Sequence, residues 1–381
     1  MSGVPTRWQV RAQRPIAYDV IKTPGLFDPA CDALLAHGRP QGRRFVVVDA
    51  EVARHHGAAI RAWFDARGVQ ARIQVVPGGE ENKTIEVWQG LLRALDAFPI
   101  HRRDEPIIVI GGGVLTDVVA FVAASYRRGV PHLKVPTTLM GYVDAALGIK
   151  AGINFNAHKN RLGSFEPPLA VLLDPTLLAT LPRRHLMNGV CEIIKLAIVR
   201  DRALFEALER DGAACVAARF QDVASEAILD AAIGGMLDEL APNLHEDELE
   251  RKVDFGHTFS YGLEARHADR LLHGEAVLLD ILVSCLIAER RGLLPAADAA
   301  RIFALVQQLE IGLDCALLDA GLMWESLLDR TLHRDGLQRV PMPAGLGRCV
   351  FLNDITRAEL DAALPALCAR IQSSHEPALE R

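Results

Sequence analysis

Residues 111–163 combine glycines with a dense set of polar side chains, a combination that predicts binding of a phosphorylated ligand. Gly111, Gly112 and Gly113 directly follow an apolar run at 106–110. A strand therefore leads into backbone without side chains, as close approach to a pyrophosphate requires. Cations in this segment indicate an anion, most simply a phosphate, and carboxylates indicate hydroxyls to be bound. The polar residues are Asp117, Arg127, Arg128, Thr137, Thr138, Asp144, Lys150, Lys159 and Asn160.

A second set of chemically capable residues lies in the later half of the chain. Glu192 and Lys195 lie one helical turn apart and so share a helix face. His257 is expected to begin a helix, and His273 stands just before another. One Glu and two His form a catalytic zinc set that leaves a position open for substrate. Spacing alone leaves open an ordinary hydrogen-bonded or surface role for each histidine, and two rival ligands, Cys285 and His267.

The elements that must position these residues alternate in the first half. Strands are predicted at 44–49, 71–77 and 107–110, with helices at 52–67 and 84–95 between them and an edge strand or two within 6–21. This alternation predicts a doubly wound parallel sheet that binds ligands at the carboxyl ends of its strands. The triple glycine is a weaker signal than a GxGxxG fingerprint, and tight strand–helix packing is the alternative explanation for it.

From residue 182 onward, long helical periodicity replaces this alternation. Helices are predicted at 189–200, 202–209, 222–240, 257–267, 274–291, 296–309 and 357–371. We therefore expect a Rossmann-like domain over 1–175 and an all-helical, metal- and substrate-binding domain over 176–381. A ligand cleft is expected between the two.

Composition excludes several classes of function. The chain has 381 residues, of which 50% are apolar and 24% charged, as in ordinary globular proteins. Its net charge of −6 argues against a nucleic-acid partner. Neither a membrane span nor a signal peptide is apparent, so a cytoplasmic protein is expected. The seven cysteines show no CxxC spacing and are expected to be reduced.

Several strings, taken together, resemble the sugar phosphate cyclase superfamily, whose best-known branch is 3-dehydroquinate synthase. They lie in the family's order over most of residues 77–277. The strings are PGGEENKT (77–84), GGGVLTDVVAF (111–121), RRG (127–129), PTTLMGYVDAALGIKAGIN (136–154), KNRLGSF (159–165), TLPRRHLMNGVCEIIK (180–195), DFGHTFS (254–260) and LLHGEAV (271–277).

The resemblance implies a homodimer with a catalytic NAD and a zinc ion, for which cobalt could substitute. It assigns the metal to Glu192, His257 and His273. It assigns NAD to Asp49, Glu80, Lys83, Gly111, Gly112, Gly113, Asp117, Thr137, Thr138, Lys159 and Thr180. It assigns the sugar phosphate and its chemistry to Asp144, Lys150, Asn160, Lys195, His333 and Arg128, the last reaching across the dimer.

Departures from dehydroquinate synthases indicate the branch. Glu250 and Met236 stand where those enzymes place an arginine and a lysine that bind the substrate's carboxylate. A carboxylate facing Glu250 would be repelled, so a carboxylated heptulosonate is not the expected substrate. Asp254 also departs from the dehydroquinate synthases, and DFGHTFS, LLHGEAV followed by LLD, and residues 333–347 and 352–355 resemble the sedoheptulose 7-phosphate cyclases.

The reaction implied is transient oxidation by NAD, phosphate elimination, reduction, ring opening and aldol closure. The commonest product in this branch is 2-epi-5-epi-valiolone, and Tyr261 differs from the proline expected for that group. Relatives that make 2-epi-valiolone or desmethyl-4-deoxygadusol therefore remain alternatives. A 3-dehydroquinate synthase is less favoured because of Glu250 and Met236. A metal-dependent polyol dehydrogenase and a non-catalytic NAD-binding descendant are less favoured because the zinc and phosphate residues are all present.

Overall fold

The computed structural model describes residues 7–156 and 158–373. Its strands are β1 Asp19–Lys22, β2 Arg44–Asp49, β3 Ala71–Val76, β4 Ile107–Gly111, β5 His132–Pro136, β6 Lys150–Phe155, β7 His158–Phe165, β8 Ala170–Leu173, β9 Val340–Pro343 and β10 Cys349–Leu352. Its α-helices are α1 Ala50–Ala66, α2 Ile85–Asp96, α3 Gly113–Ser125, α4 Arg183–Val199, α5 Arg202–Ala217, α6 Val223–Leu240, α7 Ser260–Arg266, α8 His273–Arg290, α9 Ala296–Gln308, α10 Ala320–His333 and α11 Arg357–Ser373.

Six of these strands form a parallel sheet in the order β1-β8-β5-β4-β2-β3. Successive residues of a strand point to opposite faces, and here both faces are covered by helices. Phe45 and Val47 pack with α2 and α3 on one face, whereas Val46 and Val48 pack with α1 on the other. The doubly wound sheet predicted from the apolar runs is therefore confirmed.

The strand order places the ligand crevice. The chain runs from β2 outward to β3 and then returns to β4 on the other side of β2. Such a reversal leaves an open crevice at the carboxyl ends of the two strands on either side of it, β2 and β4. Those ends are Asp49 and Gly111, two residues assigned to the dinucleotide.

The later half is mainly helical, as predicted, with three differences from the predicted elements. The segment 320–333 forms α10, which periodicity did not reveal, and β9 and β10 pair as an antiparallel hairpin. In addition, α7 begins at Ser260 rather than at His257, so His257 lies in the loop before the helix. The backbone N–H groups of 258–260 donate to Asp280 on α8, and this carboxylate caps the helix from outside.

An antiparallel hairpin, β6–β7, projects from the first half and carries three predicted site residues, Lys150, Lys159 and Asn160. Its polar and glycine-containing strands show little alternation, and its attachment comes from packing. Ile153 is buried in the same apolar cluster as α2 and α3.

The predicted domain boundary at 175/176 remains a prediction. The last sheet strand ends at Leu173, and α4 begins at Arg183. The apolar core of the helical half, however, also includes Leu139 and Tyr142 from the first half. Across the described residues, no helix combines the length and apolarity that crossing a membrane requires.

Candidate active site

Three side chains from separate elements form one cluster. Glu192 lies in the middle of α4, His257 in the loop before α7, and His273 at the first position of α8. One ligand atom from each lies within 4.8 Å of the others. The rival ligands, Cys285 and His267, are not part of this cluster. Residues 81 positions apart in sequence (192 and 273) thus meet because α4 and α8 pack side by side in the helical core.

The cluster has the dimensions of a tetrahedral metal site. His257 Nε2 lies 3.3 Å from His273 Nε2, and Glu192 Oε1 lies 3.8 Å and 3.5 Å from the two nitrogens. Ligand atoms at about 2.0–2.2 Å from a tetrahedral ion are about 3.3–3.6 Å apart. Glu192 Oε1 is buried and accepts no hydrogen bond from any residue the structure describes. An ion at the centre of the three atoms would satisfy it.

The ring of His257 is held with Nε2 directed into the cluster. Its Nδ1–H donates to the carbonyl of Phe255 at 3.1 Å, which leaves Nε2 with a free lone pair. Burial, together with Lys195, lowers the pKa of His257 to about 3, so the imidazole is neutral at neutral pH. Gly256 has a φ of +78°, and a Cβ there would lie 2.7 Å from a methyl carbon of Val277, so only glycine fits the turn.

His273 is held by a carboxylate. Its Nδ1 lies 3.2 Å from Glu264 Oε2 on α7, the carboxylate–histidine pairing that orients metal-binding imidazoles. Burial opposes protonation of His273, but Glu264 and Glu192 outweigh it and raise its pKa well above the ordinary value. Metal binding at this ring therefore displaces a proton. The next residue, Gly274, leaves no room for a Cβ, which would lie 2.1 Å from the carbonyl oxygen of Asn188.

Lys195 and Asp144 add two ionisable groups beside the cluster. Lys195 is 1% exposed and forms an ion pair with Glu192 Oε2, as their spacing on one helix face predicted. Burial opposes the charge on Lys195, but Glu192 and Asp144 outweigh it and raise its pKa. Burial raises the pKa of Asp144, so this carboxyl holds a proton more readily than an ordinary aspartate.

The crevice of the sheet is lined by backbone rather than by large side chains. A Cβ on Gly111 would lie 3.3 Å from Asp49 Cβ, and one on Gly112 would lie 3.0 Å from Thr138 Cγ2. Thr137 donates its N–H to the carbonyl of Gly111. Within the described residues, no side chain caps the first turn of α3, so its N–H groups point into the crevice as a site for an anion.

A polar network joins the crevice to the hairpin. Lys83 donates to Asp117 at 2.7 Å and to Asn160 at 2.6 Å. Burial lowers the proton affinity of Lys83, but Asp117 and Glu80 outweigh it and raise its pKa. Asn154 donates to Glu80 at 2.8 Å and accepts the N–H of Asn160. The network thus brings together residues that the resemblance assigned separately to cofactor and substrate.

Lys150, on the hairpin, lies against a group of charged side chains from the helical half. Lys150 pairs with Glu246 at 2.5 Å, and Glu246 pairs with Arg251. Arg251 and Arg334 both contact Asp254, three residues before His257. Burial opposes ionisation of Asp254, but the charges of Arg251, Lys150 and Arg334 outweigh it, so the pKa of Asp254 lies below the ordinary value.

Some predicted residues are not brought to the cluster. His333 is more than half exposed and faces Asp329 at 3.6 Å, whereas the following residue, Arg334, is the one directed inward. Arg128 is exposed beyond the far end of α3, about 20 Å of helix from the glycines. Thr180 is exposed, with its hydroxyl 3.3 Å from His56. The roles of these three residues remain predictions.

The two positions that indicated the branch, 236 and 250, do not have the geometry of a site for a substrate carboxylate. Met236 is fully buried in the apolar core, so it offers an apolar wall and not a vacant cation position. Glu250 is exposed, and Arg251 beside it makes the inward contacts. Repulsion of a substrate carboxylate by Glu250 is therefore not supported by the structure.

Several residues that position the ligands were not predicted from the sequence. Asn188 accepts the N–H of Gly274 at 2.6 Å, and Glu264 and Asp280 hold the two histidine segments. Glu264 lies on α7 and His273 begins α8, so their contact crosses the turn between two helices and no helical spacing indicates it. Asp280 contacts residues more than 20 positions away, and no local pattern indicates this contact.

A Rossmann-like crevice facing a Glu–His–His cluster defines the molecule as an enzyme of the metal-dependent, nucleotide-binding class. Residues 73–188 match the 3-dehydroquinate synthase N-terminal family and residues 189–333 the 3-dehydroquinate synthase C-terminal family. The chain therefore belongs to the sugar phosphate cyclases, the family of 3-dehydroquinate synthase, as the sequence strings predicted.

Within this family, the similarity to 2-epi-5-epi-valiolone synthases extends over nearly the whole chain. One from Streptomyces albus is 49% identical over 94% of this chain and 89% of that relative. The structure of ValA, the 2-epi-5-epi-valiolone synthase from Streptomyces hygroscopicus subsp. jinggangensis, with NAD+ and Zn2+ bound, matches with a TM-score of 0.91 at 42% identity, over 95% of this chain and 100% of that one. A demethyl-4-deoxygadusol synthase from Trichormus variabilis is 37% identical over 94% of this chain and 89% of that relative.

Proposed function

We propose that this enzyme is a sedoheptulose 7-phosphate cyclase, a carbon–oxygen lyase that forms 2-epi-5-epi-valiolone and phosphate with a catalytic NAD and a Zn2+ ion. The observation that carries the proposal is the Glu192–His257–His273 triangle, with its unsatisfied buried oxygen, beside the cationic hairpin β6–β7. Identity of 49% to a 2-epi-5-epi-valiolone synthase supports the same product.

The crevice between β2 and β4 fits a dinucleotide. The uncapped start of α3 suits the pyrophosphate, and the carboxylates of Asp49 and Glu80 are acceptors for ribose hydroxyls. Lys83 and Asp117, also assigned to NAD, form an ion pair, and the hydroxyl of Thr180 lies 3.3 Å from His56 on α1. Once bound, NAD supplies a reversible hydride acceptor, and zinc supplies a Lewis acid for sugar oxygens.

The protein's own residues hold the substrate and move its protons. Lys195 stays charged and donates hydrogen bonds to sugar oxygens beside the metal, while Glu192 keeps it in place. Asp144, with its raised pKa, accepts and returns a proton at the same position. Both groups are largely shielded from bulk water, which strengthens their interactions with the substrate.

The hairpin supplies the phosphate site. The ammonium of Lys150 and the amide of Asn160 lie on its two strands, and both are donors to a phosphate and to the charge that develops when it leaves. Lys83, held by Asp117, fixes Asn160. We further propose a homodimer in which the partner's Arg128 completes this phosphate site, since Arg128 is too distant within its own chain.

The second candidate is the same cyclisation with a different product, 2-epi-valiolone or demethyl-4-deoxygadusol. The position of Tyr261 supports this second candidate. Its ring lies 6.3 Å from that of His257, and the guanidinium of Arg330 lies 3.7 Å from the centre of the ring. A bulky aromatic beside a metal ligand changes the space in which the opened chain turns before the aldol step.

The experiment is incubation of the purified enzyme with sedoheptulose 7-phosphate, catalytic NAD+ and Zn2+. We expect phosphate release without net NADH, and NMR should identify 2-epi-5-epi-valiolone. Another cyclitol would establish the second candidate. Phosphate release from the carboxylated heptulosonate but not from sedoheptulose 7-phosphate would contradict the proposal.

A further inference from the structure

A line of alternating charges connects the dinucleotide crevice to the metal cluster. Lys159 Nζ lies 2.5 Å from Glu264 Oε1 and 3.8 Å from Glu80 Oε1. The other oxygen of Glu264 faces His273 Nδ1. Glu80 is assigned to NAD and His273 is a metal ligand. Lys159 therefore links the two sites, with the carboxylate of Glu80 on one side of it and that of Glu264 on the other.

The two central residues of this line of charges, Lys159 and Glu264, are largely shielded from solvent. Glu264 is 7% exposed, and the side chain of Lys159 is 19% exposed. A buried carboxylate of this kind is stable only with its cationic and N–H partners, so the positions of Lys159 and His273 depend on each other. Lys159 itself is anchored by the hairpin, since the next residue, Asn160, accepts from Lys83.

We propose that Lys159 and Glu264 are positioning residues that couple the two cofactor sites, so that bound NAD raises the affinity for zinc. Bound NAD would contact Glu80 and Lys83, the residues that hold Asn154 and Asn160, and would stabilise the hairpin in the position in which Lys159 pairs with Glu264. Glu264 then keeps the Nδ1 proton of His273 directed at itself and Nε2 directed at the metal. Because coupling between sites is reciprocal, zinc raises the affinity for NAD by the same factor.

This inference uses the metal and NAD sites of the proposed function but not its sugar substrate. The test therefore needs no turnover. Zinc affinity of the metal-free enzyme is measured with a chromogenic chelator, without NAD+ and with saturating NAD+. In the unaltered enzyme NAD+ is expected to tighten zinc binding about fivefold or more.

Two substitutions separate the roles. Glu264→Gln is expected to weaken zinc binding about 10–100-fold with or without NAD+. Lys159→Met is expected to bring the effect of NAD+ on zinc affinity to about onefold, where onefold is the absence of coupling. Arg161→Met, which removes an exposed cation from the same strand, is the matched control and should keep the full effect. The double variant Lys159→Met/Glu264→Gln removes both charges together and covers the case in which Lys159→Met alone does not fold.

The outcomes are distinguishable. An effect of NAD+ that persists in Lys159→Met, or in the double variant where Lys159→Met does not fold, overturns the coupling, as does its absence from the unaltered enzyme. Unchanged zinc affinity in Glu264→Gln overturns the positioning role. Coupled binding in an enzyme that does not act on sedoheptulose 7-phosphate would leave the inference standing and refute the proposed function. Absence of zinc or NAD binding refutes both.

Discussion

The crevice at the edge of the sheet and the metal cluster among the helices are built in different ways. In the crevice, the ligand-facing atoms are mostly backbone, supplied by Gly111, Gly112 and the first turn of α3. In the cluster, they are side-chain atoms of Glu192, His257 and His273, each held by another group. The crevice depends on space left free of side chains, whereas the cluster depends on the positions of charged groups and protons.

This difference determines how each region can fail. A substitution in the crevice adds volume and blocks a ligand but leaves the buried charges of the protein balanced. A substitution in the cluster leaves a buried charge without its partner, which lowers stability as well as activity. Substitutions in the two regions, beginning with the metal ligands, test this contrast.

The largest effect is expected from the metal ligands. His273→Ala should lose bound zinc and lower turnover about a thousandfold or more, since a Lewis acid stabilises the transition state by several kcal/mol. Glu192→Ala should lose zinc as well, and it also leaves the fully buried Lys195 unpaired. We therefore expect Glu192→Ala to be less stable than His273→Ala by about 3 kcal/mol.

Elemental analysis for zinc and denaturant unfolding check both statements. Glu192→Gln is the matched control for packing, since it keeps the volume but loses the charge opposite Lys195. One equivalent of zinc retained by His273→Ala would contradict the ligand set, and equal stability of the two alanine variants would contradict the role of the ion pair.

Asp280 should make the stability of the cluster region depend on pH. Burial raises its pKa to about 6 from an ordinary 3.8, even though three backbone N–H groups and Ser284 donate to it. A carboxyl whose pKa is higher in the folded than in the unfolded state stabilises the fold while it is protonated. This stabilisation is complete below the unfolded-state pKa and is lost as the pH rises through 6.

Relative to Asp280→Asn, the free energy of unfolding of the unaltered enzyme should therefore fall by about 3 kcal/mol between pH 3 and pH 7. Urea unfolding across this range measures the difference. Ser284→Ala, which removes one donor to the carboxylate, should steepen the change. Parallel curves for the unaltered enzyme and Asp280→Asn would contradict the shifted pKa.

Gly112→Ala tests the crevice in the same terms. The added Cβ would lie 3.0 Å from Thr138 Cγ2, a contact that a small shift relieves, so stability should change by less than about 1 kcal/mol. The methyl group would also occupy the approach of the pyrophosphate, and NAD affinity should fall about tenfold or more. Calorimetric titration with NAD+ measures this. Loss of zinc from Gly112→Ala would show that the two regions are not separable in this way.

The crevice could be predicted from the sequence because it follows from local patterns. The apolar runs of β2, β3 and β4 and the glycines after β4 are contiguous, and parallel pairing brings their ends together. The same cannot be said of β6–β7, whose polar strands are fixed by packing on α3 and by the contacts of Asn154 and Lys159. For α10, a capping aspartate and a buried apolar stripe were present in the sequence but were not recognised.

For the cluster, spacing gave the candidate ligands but left their rivals open. The resemblance resolved the choice among rivals, and the structure places the three ligands together. The groups that hold them could not be predicted, because Asp280 and Asn188 act across 22 and 86 positions of sequence. His333 and Arg334 illustrate a further difficulty. They are adjacent in sequence, and the end of α10 between them turns one outward and the other inward.

The smallest effect is expected at Glu250. Its exposure indicates that Glu250→Arg should change the free energy of unfolding by less than about 0.5 kcal/mol and turnover of sedoheptulose 7-phosphate by less than about twofold. Met236→Lys at the other position of the carboxylate pair is the contrasting change, since it buries a charge in the core and should prevent stable folding. Turnover of the carboxylated heptulosonate is the decisive measurement. If Glu250→Arg alone allows turnover of the carboxylated heptulosonate, the side chain at position 250 reaches the substrate, and Glu250 excludes this substrate as predicted from the sequence. If it does not, selectivity against a substrate carboxylate must come from other residues, and the charged group of Arg251, Asp254 and Arg334 is the next to test.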